Sequence, residues 1–355
     1  MEKKKRILIL ALSGIGDALM FTPSLKVLRE EYPNAQIDVL VMFNGVKEIF
    51  DRIGLADNII FFEFLKQGGF KSLMFIFSLR RKYDISVNVY PSNRKEYNII
   101  ALLIGSKVRG AVKYLRKNFV ELGYLNNTTF AENDNLHNVE ENIKICELII
   151  GKQIAEIPPL QLVLNDNDKK FAEEYIKKNE LDNKFIVGVH AGCSLLKNHI
   201  NRRWEPEKFV ELCKKIIDKN KFTVLLFGGP DEEELNKQII KEVNSSGMIL
   251  VKTKSLIETI SVMSYCSLFI SNDSGLMHIA AALQIKLLPI IGPTSLNYIK
   301  PWQCEYKAAT LNLECAPCFR YSPTPLLCSR TDKQFKCIKD LSVQKVYSVF
   351  EELIN

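Results

Sequence analysis

Residues 268–282 read Leu-Phe-Ile-Ser-Asn-Asp-Ser-Gly-Leu-Met-His-Ile-Ala-Ala-Ala. Leu268, Phe269 and Ile270 suit a buried strand, Ser271-Asn272-Asp273-Ser274-Gly275 breaks it, and the Ala-rich pattern from Leu276 is helical. Asp273 and Ser274 are natural helix N-caps, and Gly275 lets a ligand or a second backbone come close. A helix starting there points unpaired N–H groups and the positive end of its dipole outward, where a phosphate is stabilised. His278 lies one turn on, within reach of the same ligand. The plain alternative is an ordinary capped strand-to-helix turn, and the pattern alone does not choose.

A second candidate stands near the start. Residues 7–12 form an apolar strand and Ser13-Gly14-Ile15-Gly16-Asp17 makes a glycine-flexed turn. Helical spacing follows over 18–31, with Pro23 expected to kink or restart the helix. The Gly14/Gly16 pair is a poor dinucleotide fingerprint: Leu19 occupies the third glycine position, and Met42 and Phe43 stand where an acidic residue would end the next strand. A nicotinamide-dependent oxidoreductase is therefore disfavoured. What the turn does present is Asp17 at the carboxyl edge of a first strand. A carboxylate there either caps its helix or draws a proton from a hydroxyl as general base.

Such turns need parallel strands behind them. Apolar segments at 37–42, 59–62 and 85–89 alternate with helical ones such as 71–81. The same grammar restarts at 185–190, 222–227, 249–251, 268–270 and 287–291. This argues an α/β fold of two Rossmann-like doubly wound domains facing a cleft. At 355 residues the chain exceeds one core, and Pro158-Pro159 marks the approach to a linker. The expected division is 1–160, 161–340 and a last helix within 341–355 that packs back on the first domain. Lys107, Arg109, Lys113, Arg116 and Lys117, with no acid between them, form a basic cluster, either a solvated face or a meeting point for an anionic acceptor. Residues 126–138 read as a polar loop. Asp166-Asn167-Asp168 mimics a metal motif but stands just ahead of a helix, so capping is expected.

The balance of 48 basic and 41 acidic residues, net +7, suits an anionic ligand or surface and lacks the density of a dedicated nucleic-acid binder. No apolar run reaches the roughly 18 residues of a membrane span. The apolar run after the basic start is only a strand long and has no small-residue cleavage site. Nine cysteines do not form the pattern of a secreted disulfide scaffold. A cytoplasmic protein is expected.

Five pieces follow one another along nearly the whole chain. The first is Leu12-Ser13-Gly14-Ile15-Gly16-Asp17-Ala18 with Thr22-Pro23-Ser24-Leu25, and the second is His190-Ala191-Gly192 with Arg202-Arg203-Trp204-Glu205-Pro206. Phe227-Gly228-Gly229-Pro230-Asp231-Glu232, the stretch 272–282 and Gly292-Pro293-Thr294 complete the series. In this order they resemble glycosyltransferase family 9, the heptosyltransferases of lipopolysaccharide assembly. The resemblance implies the GT-B architecture, with the acceptor on the N-terminal domain and the nucleotide-sugar on the C-terminal one. It implies an inverting, metal-independent transfer of a sugar, typically heptose from ADP-heptose, to a lipopolysaccharide core or related glycan. Asp17 would be the base, beside Ser13, Gly14 and Gly16 of an acceptor-side loop. The leaving diphosphate would be held by the backbone at Ser274-Gly275, by the helix dipole and by a cation at Arg202. Relatives usually carry Lys at that position, two residues before the Trp. The stretch 196–201 departs from the shorter family loop, which makes Arg203 the substitute cation. Ser194, Asp273 and His278 join the donor side, and Asp231 or Glu232 would take the nucleotide ribose. Peripheral contact with the anionic inner membrane face goes with such an acceptor. A non-catalytic nucleotide-sugar or glycan-binding module of the same fold is the alternative.

Near the C-terminus, Cys315-Ala316-Pro317-Cys318 with Cys328 and Cys337 offers four thiols for a structural zinc, although a second CxxC is missing. Reduced thiols around a compact loop, or a labile disulfide, are the alternatives. No cofactor is expected in the reaction itself.

Overall fold

The computed structural model describes residues 4–320 and 324–355, leaving aside the side chains of 196, 197 and 220. The chain divides into two units, Met1–Val163 and Leu164–Asn355, a boundary three residues beyond the expected one.

In the first unit β1 (Arg6–Ala11), α1 (Ile15–Glu31), β2 (Gln36–Val41), α2 (Asn44–Ile53), β3 (Asn58–Phe61) and α3 (Phe64–Ser78) follow in order. Then come β4 (Ile85–Asn88), α4 (Lys95–Ile104), β5 (Val108–Lys113), β6 (Thr128–Ala131) and α5 (Asn138–Ile150). The six strands form a parallel sheet in the order β3-β2-β1-β4-β5-β6. Alternation decides which side chains face which helices. Leu8, Leu10 and Leu12 join Leu40, Ile76, Leu79, Ile100 and Ile104 in a core under α3 and α4. α1 packs against α5, and α5 also covers β5 and β6. α1 runs on through Pro23 rather than restarting there. The basic cluster 107–117 is built around β5, and the polar stretch 126–138 contains β6, so neither is simply a loop or a solvated face.

The second unit contains α6 (Asp166–Lys178), β7 (Ile186–His190), α7 (Pro206–Asn220), β8 (Thr223–Phe227), α8 (Glu233–Val243), β9 (Met248–Leu250) and α9 (Leu256–Met263). It continues with β10 (Leu268–Asn272), α10 (Gly275–Ala282), β11 (Lys286–Ile290), α11 (Leu296–Ile299), α12 (Lys336–Lys339) and α13 (Val343–Ile354). Its parallel sheet has the order β11-β10-β7-β8-β9. Asp168 does cap: its carboxylate accepts from Asn165 N–H at 2.9 Å while Asn165 Oδ1 accepts from Asp168 N–H at 3.0 Å.

The last helix belongs to the second unit. α13 packs on α7 and β11, and Val343, Val346, Tyr347, Phe350 and Leu353 are buried in the core of the second unit with Phe209, Ile216 and Leu226. Its apolar face is consumed within its own unit. Among the described residues no helix is long and apolar enough to cross a membrane.

Candidate active site

Each sheet reverses its winding direction once, between β1 and β4 in the first unit and between β7 and β10 in the second. Ligands of open parallel sheets bind beyond the carboxyl ends of the strands at such points. The residues singled out above cluster at both.

In the second unit, β7 ends at His190 and β10 pairs with it so that Ser271 lies opposite His190. His190 Nε2 is 2.9 Å from Glu232 Oε2, and His190 Nδ1 is 3.0 Å from the Ser274 hydroxyl. Glu232 Oε2 also accepts from Gly229 N–H at 3.0 Å, and Arg203 lies 3.6 Å from its other oxygen. Burial raises the Glu232 pKa, but the His190 hydrogen bond, with help from Gly229 and Arg203, brings it below the usual carboxylate range. Gly192 is required at its position: a Cβ there would stand 1.6 Å from Glu232 Oε1.

Arg202 donates to Asp273 Oδ2 at 2.7 Å, and the Thr294 hydroxyl donates to the same oxygen at 2.7 Å. Burial works to raise the Asp273 pKa, yet the Arg202 guanidinium and Thr294 hold the carboxylate ionised, below its ordinary range. The two arginines are fixed by the residue that follows them. Trp204 is fully buried, its indole N–H donates to Leu341 O at 2.8 Å, and its backbone N–H donates to Asn272 Oδ1 at 3.0 Å. Asn272 in turn donates to Ala191 O at 2.8 Å, tying the Arg202-Arg203 loop to the ends of β7 and β10.

Ser274 is the N-cap residue of α10, but its hydroxyl bonds His190 and Ser271 instead of the helix backbone. The first-turn N–H groups of α10 are thus not capped by that side chain. His278 is buried on this helix, and burial pushes its pKa down to about 4, so its imidazole is neutral at physiological pH. Its Nδ1 has no hydrogen-bond partner among the described residues. The guanidinium groups of Arg202 and Arg203, each beside an ionised carboxylate, and a helix N-terminus not capped by its own Ser274 side chain are the groups here that favour an anion such as a diphosphate.

In the first unit Asp17 is the third residue of α1 and half-buried. The Ser92 hydroxyl, beyond β4, donates to Asp17 Oδ2 at 3.1 Å across the switch point. Tyr97 donates to Leu12 O, which fixes the turn from behind, and Arg94 lies 5.8 Å from the Tyr97 ring. The segment carrying Ser92 is held by Asn142, which bonds both the N–H and the C=O of Tyr90 at 3.0 Å. Asp17 therefore lies beyond the carboxyl end of β1 at the switch point, half-buried and oriented by the Ser92 hydroxyl.

Asp273, Ser274, His278, Arg202, Arg203 and Glu232 come together, with Gly275 as the first residue of α10. Asp231 does not join them; it is exposed, and Glu232 is the acid that turns inward. Ser194 is exposed as well. Ser13 is buried and Gly14 exposed in the turn before Asp17. His190, Asn272, Thr294 and Ser92 join these clusters through hydrogen bonds although the sequence reading assigns them no role. The first three lie within recognised motif pieces at strand ends, whereas Ser92 was signalled only by following an apolar strand.

Cys315, Cys318, Cys328 and Cys337 are all free thiols. Burial raises the Cys337 pKa to about 11, and the other three add to the rise, so they share one neighbourhood. Among the described residues no three His, Cys, Asp or Glu side chains are grouped so as to hold a metal ion.

A family model described as glycosyltransferase family 9 (heptosyltransferase) matches residues 75–326. Lipopolysaccharide heptosyltransferase 2 of Escherichia coli K12 is 25% identical over 87% of this chain and 88% of its own length. Lipooligosaccharide heptosyltransferase 2 of Campylobacter jejuni is 32% identical over 52% of this chain, and the match spans only about half, 55%, of that relative. Among solved structures, the glycosyl transferase family 9 protein of Veillonella parvula superposes with a TM-score of 0.74 at 19% identity, covering 100% of this chain and 98% of that one. The E. coli ADP-heptose heptosyltransferase II structure gives 0.72 at 21% identity, covering 98% of both. Those structures share this two-sheet fold over essentially the full chain.

Proposed function

The chain belongs to glycosyltransferase family 9, and from that premise we propose that it moves heptose from ADP-heptose to a hydroxyl of a lipopolysaccharide core or related glycan, with inversion at the anomeric carbon. Asp17 accepts the proton of the acceptor hydroxyl as that oxygen attacks the anomeric carbon. The bond from this carbon to the diphosphate breaks, and ADP leaves with the electron pair. General-base assistance of this kind contributes roughly 10²–10⁴-fold. The charge gathering on the diphosphate falls to Arg202, Arg203 and the N-terminus of α10, and the reading calls for no metal ion in that role. Glu232, held by His190, is the acid assigned to the ribose. The protein works at the cytoplasmic face of an anionic membrane, where such an acceptor is displayed.

The observation that carries this reading is the pair of clusters at the two switch points. A hydroxyl-oriented carboxylate occupies one, and an arginine-rich helix N-terminus occupies the other. Asp17→Asn should lower transfer from ADP-heptose by roughly 10²–10⁴-fold while calorimetric donor affinity stays within about twofold. Near-normal turnover in that variant refutes the base assignment. Donor binding by the wild type without transfer to any acceptor would make the protein a binding module. The tail thiols are given no part in the reaction. A structural zinc on Cys315, Cys318, Cys328 and Cys337 would appear as one metal equivalent in the purified protein, lost together with thermal stability on chelation.

A further inference from the structure

α3 is apolar on two sides. Toward the sheet it buries Ile76, and Phe75 stacks on Phe62 at 4.1 Å. Away from the sheet, Phe70, Leu73, Met74 and Phe77 follow the i, i+3, i+4, i+7 spacing of a single helix face and stay exposed, Phe70 at 78% and Met74 at 57%. Leu65, before the kink at Gly68, is 75% exposed. α4 packs beside α3 and leaves Ile99 and Leu102 exposed. The segment 115–124 is fastened to α4 through Glu121, which accepts from Lys95 N–H at 3.0 Å and from the Asn98 amide at 2.7 Å. It exposes Leu115, Phe119 (80%), Val120 and Tyr124. Most large exposed apolar side chains of the first unit are therefore carried by three neighbouring elements. Scattered surface hydrophobics need no explanation, but a grouped set marks a binding surface.

Charge identifies the occupant. Between Phe64 and Tyr83 stand Lys66, Lys71, Arg80, Arg81 and Lys82 and no acidic residue, and Arg116 and Lys117 precede Phe119. Arg80 lies 5.5 Å from the Phe77 ring, placing a cation at the border of the apolar stripe. Lys66 and Arg116 have acidic neighbours, Glu63 and Asp134, whereas no ion pair involving Lys71, Arg80, Arg81 or Lys82 is seen among the described residues. An apolar helical face rich in Phe and flanked by cations is what an interfacial helix presents to an anionic bilayer.

We propose that the outer face of α3, with α4 and the segment 115–124, is the surface by which this protein docks on an anionic phospholipid membrane. Phe70, Leu73, Met74 and Phe77 enter the acyl boundary, while Lys71, Arg80, Arg81 and Lys82 meet the headgroup phosphates. This deepens the reading of a membrane-displayed acceptor and rests on it for its biological purpose, while the binding itself is independent of transfer.

Flotation of the full chain with vesicles of phosphatidylglycerol and phosphatidylcholine in equal parts, against vesicles of phosphatidylcholine alone, tests it. The wild type should bind the anionic vesicles at least tenfold more strongly and lose that preference in high salt. F70S/M74S/F77S should bind at least tenfold more weakly. K71E/R81E, which leaves the apolar face intact, should also lose more than tenfold, since each cation near the surface is worth roughly fivefold. Y265S, an exposed aromatic of the second unit, should bind as the wild type does. Absence of wild-type binding, or equal binding to both vesicle types, overturns the proposal. So does a dimeric mass in solution that the triple variant reduces to monomer, since a second copy then covers the face. Transfer to a water-soluble acceptor keeps the two readings apart: anionic vesicle binding without transfer rejects the enzyme assignment alone, and transfer without vesicle binding rejects the docking surface alone.

Discussion

Glu232 is held so closely that one added carbon would displace it. In Gly192→Ala the new Cβ would sit 1.6 Å from Glu232 Oε1, and the carboxylate would have to leave its place beside His190. Affinity for ADP-heptose should fall roughly tenfold or more, the scale of a lost charge-assisted hydrogen bond, with the unfolding midpoint little changed. Calorimetric titration with the donor checks this. Two buried groups give pH signatures of opposite sign. Burial raises Glu141 of the first unit from an ordinary 4.5 to about 8. Between those values the folded state keeps a proton that the unfolded chain releases, so stability falls as pH rises from about 4.5 to about 8. Glu141→Gln should remove that fall and be stabilised relative to wild type by roughly 1 kcal/mol more at pH 8 than at pH 5. Burial lowers His278 of the second unit from 6.5 to about 4. There the unfolded chain takes up the proton first, so stability is lost as pH falls from about 6.5 to about 4, and His278→Gln should flatten that loss. Denaturant midpoints at pH 4.5, 6.5 and 8 resolve both. At this scale the sequence shows which side chains could act but not how they point: adjacent Asp231 and Glu232 look equivalent in the chain, and only the short helical turn Pro230–Glu232 sends one outward and the other to His190.

An element's apolar face can be read from its spacing, but the surface that covers it cannot. α13 shows the difference. Its buried set at 343, 346, 347, 350 and 353 is legible as a helix stripe, yet nothing in that spacing tells α7 and β11 from the first domain. Because Phe350 is fully buried within the core of the second unit, Phe350→Ala should cost that unit roughly 3–5 kcal/mol. Urea unfolding followed by tryptophan fluorescence, which comes from Trp204 and Trp302 of that unit, measures it. A loss under 1 kcal/mol contradicts the packing. The strands built mainly of apolar residues, β1, β2, β7, β8 and β10, were readable because both of their faces are covered, even where Asp38 interrupts β2. β5 and β6 were not. β5 carries Arg109 and Lys113 and β6 carries Thr128 and Thr129, so a polar composition conceals the backbone pairing of β5 with β4 and of β6 with β5. Ser92 was missed for a related reason: its partner Asp17 is 75 residues away and is met only through the pairing of β1 with β4.

For the molecule as a whole, each unit has its own sheet and its own buried core, and the cluster of His190, Glu232, Arg202 and Asp273, which the proposed function assigns to the donor, belongs entirely to the second. A ligand that binds the native form of one unit stabilises that unit, by about 2.7 kcal/mol at 100 times its dissociation constant. The distribution of tryptophan makes this visible. Both tryptophans of the chain, Trp204 and Trp302, lie in the second unit, so their fluorescence follows its unfolding, whereas far-ultraviolet circular dichroism follows both units. Saturating ADP-heptose should therefore move the fluorescence-detected transition upward by several degrees. The part of the dichroism change that carries the Glu141 pH signature should stay in place. Asp17→Asn, confined to the first unit, should leave the donor-induced fluorescence shift intact, and Gly192→Ala should diminish it. If the donor shifted both transitions equally, the two cores would be unfolding as one cooperative body. If it shifted the dichroism transition of the first unit alone, the nucleotide site would have to move from the His190, Glu232 and Arg202 cluster to the Asp17 edge.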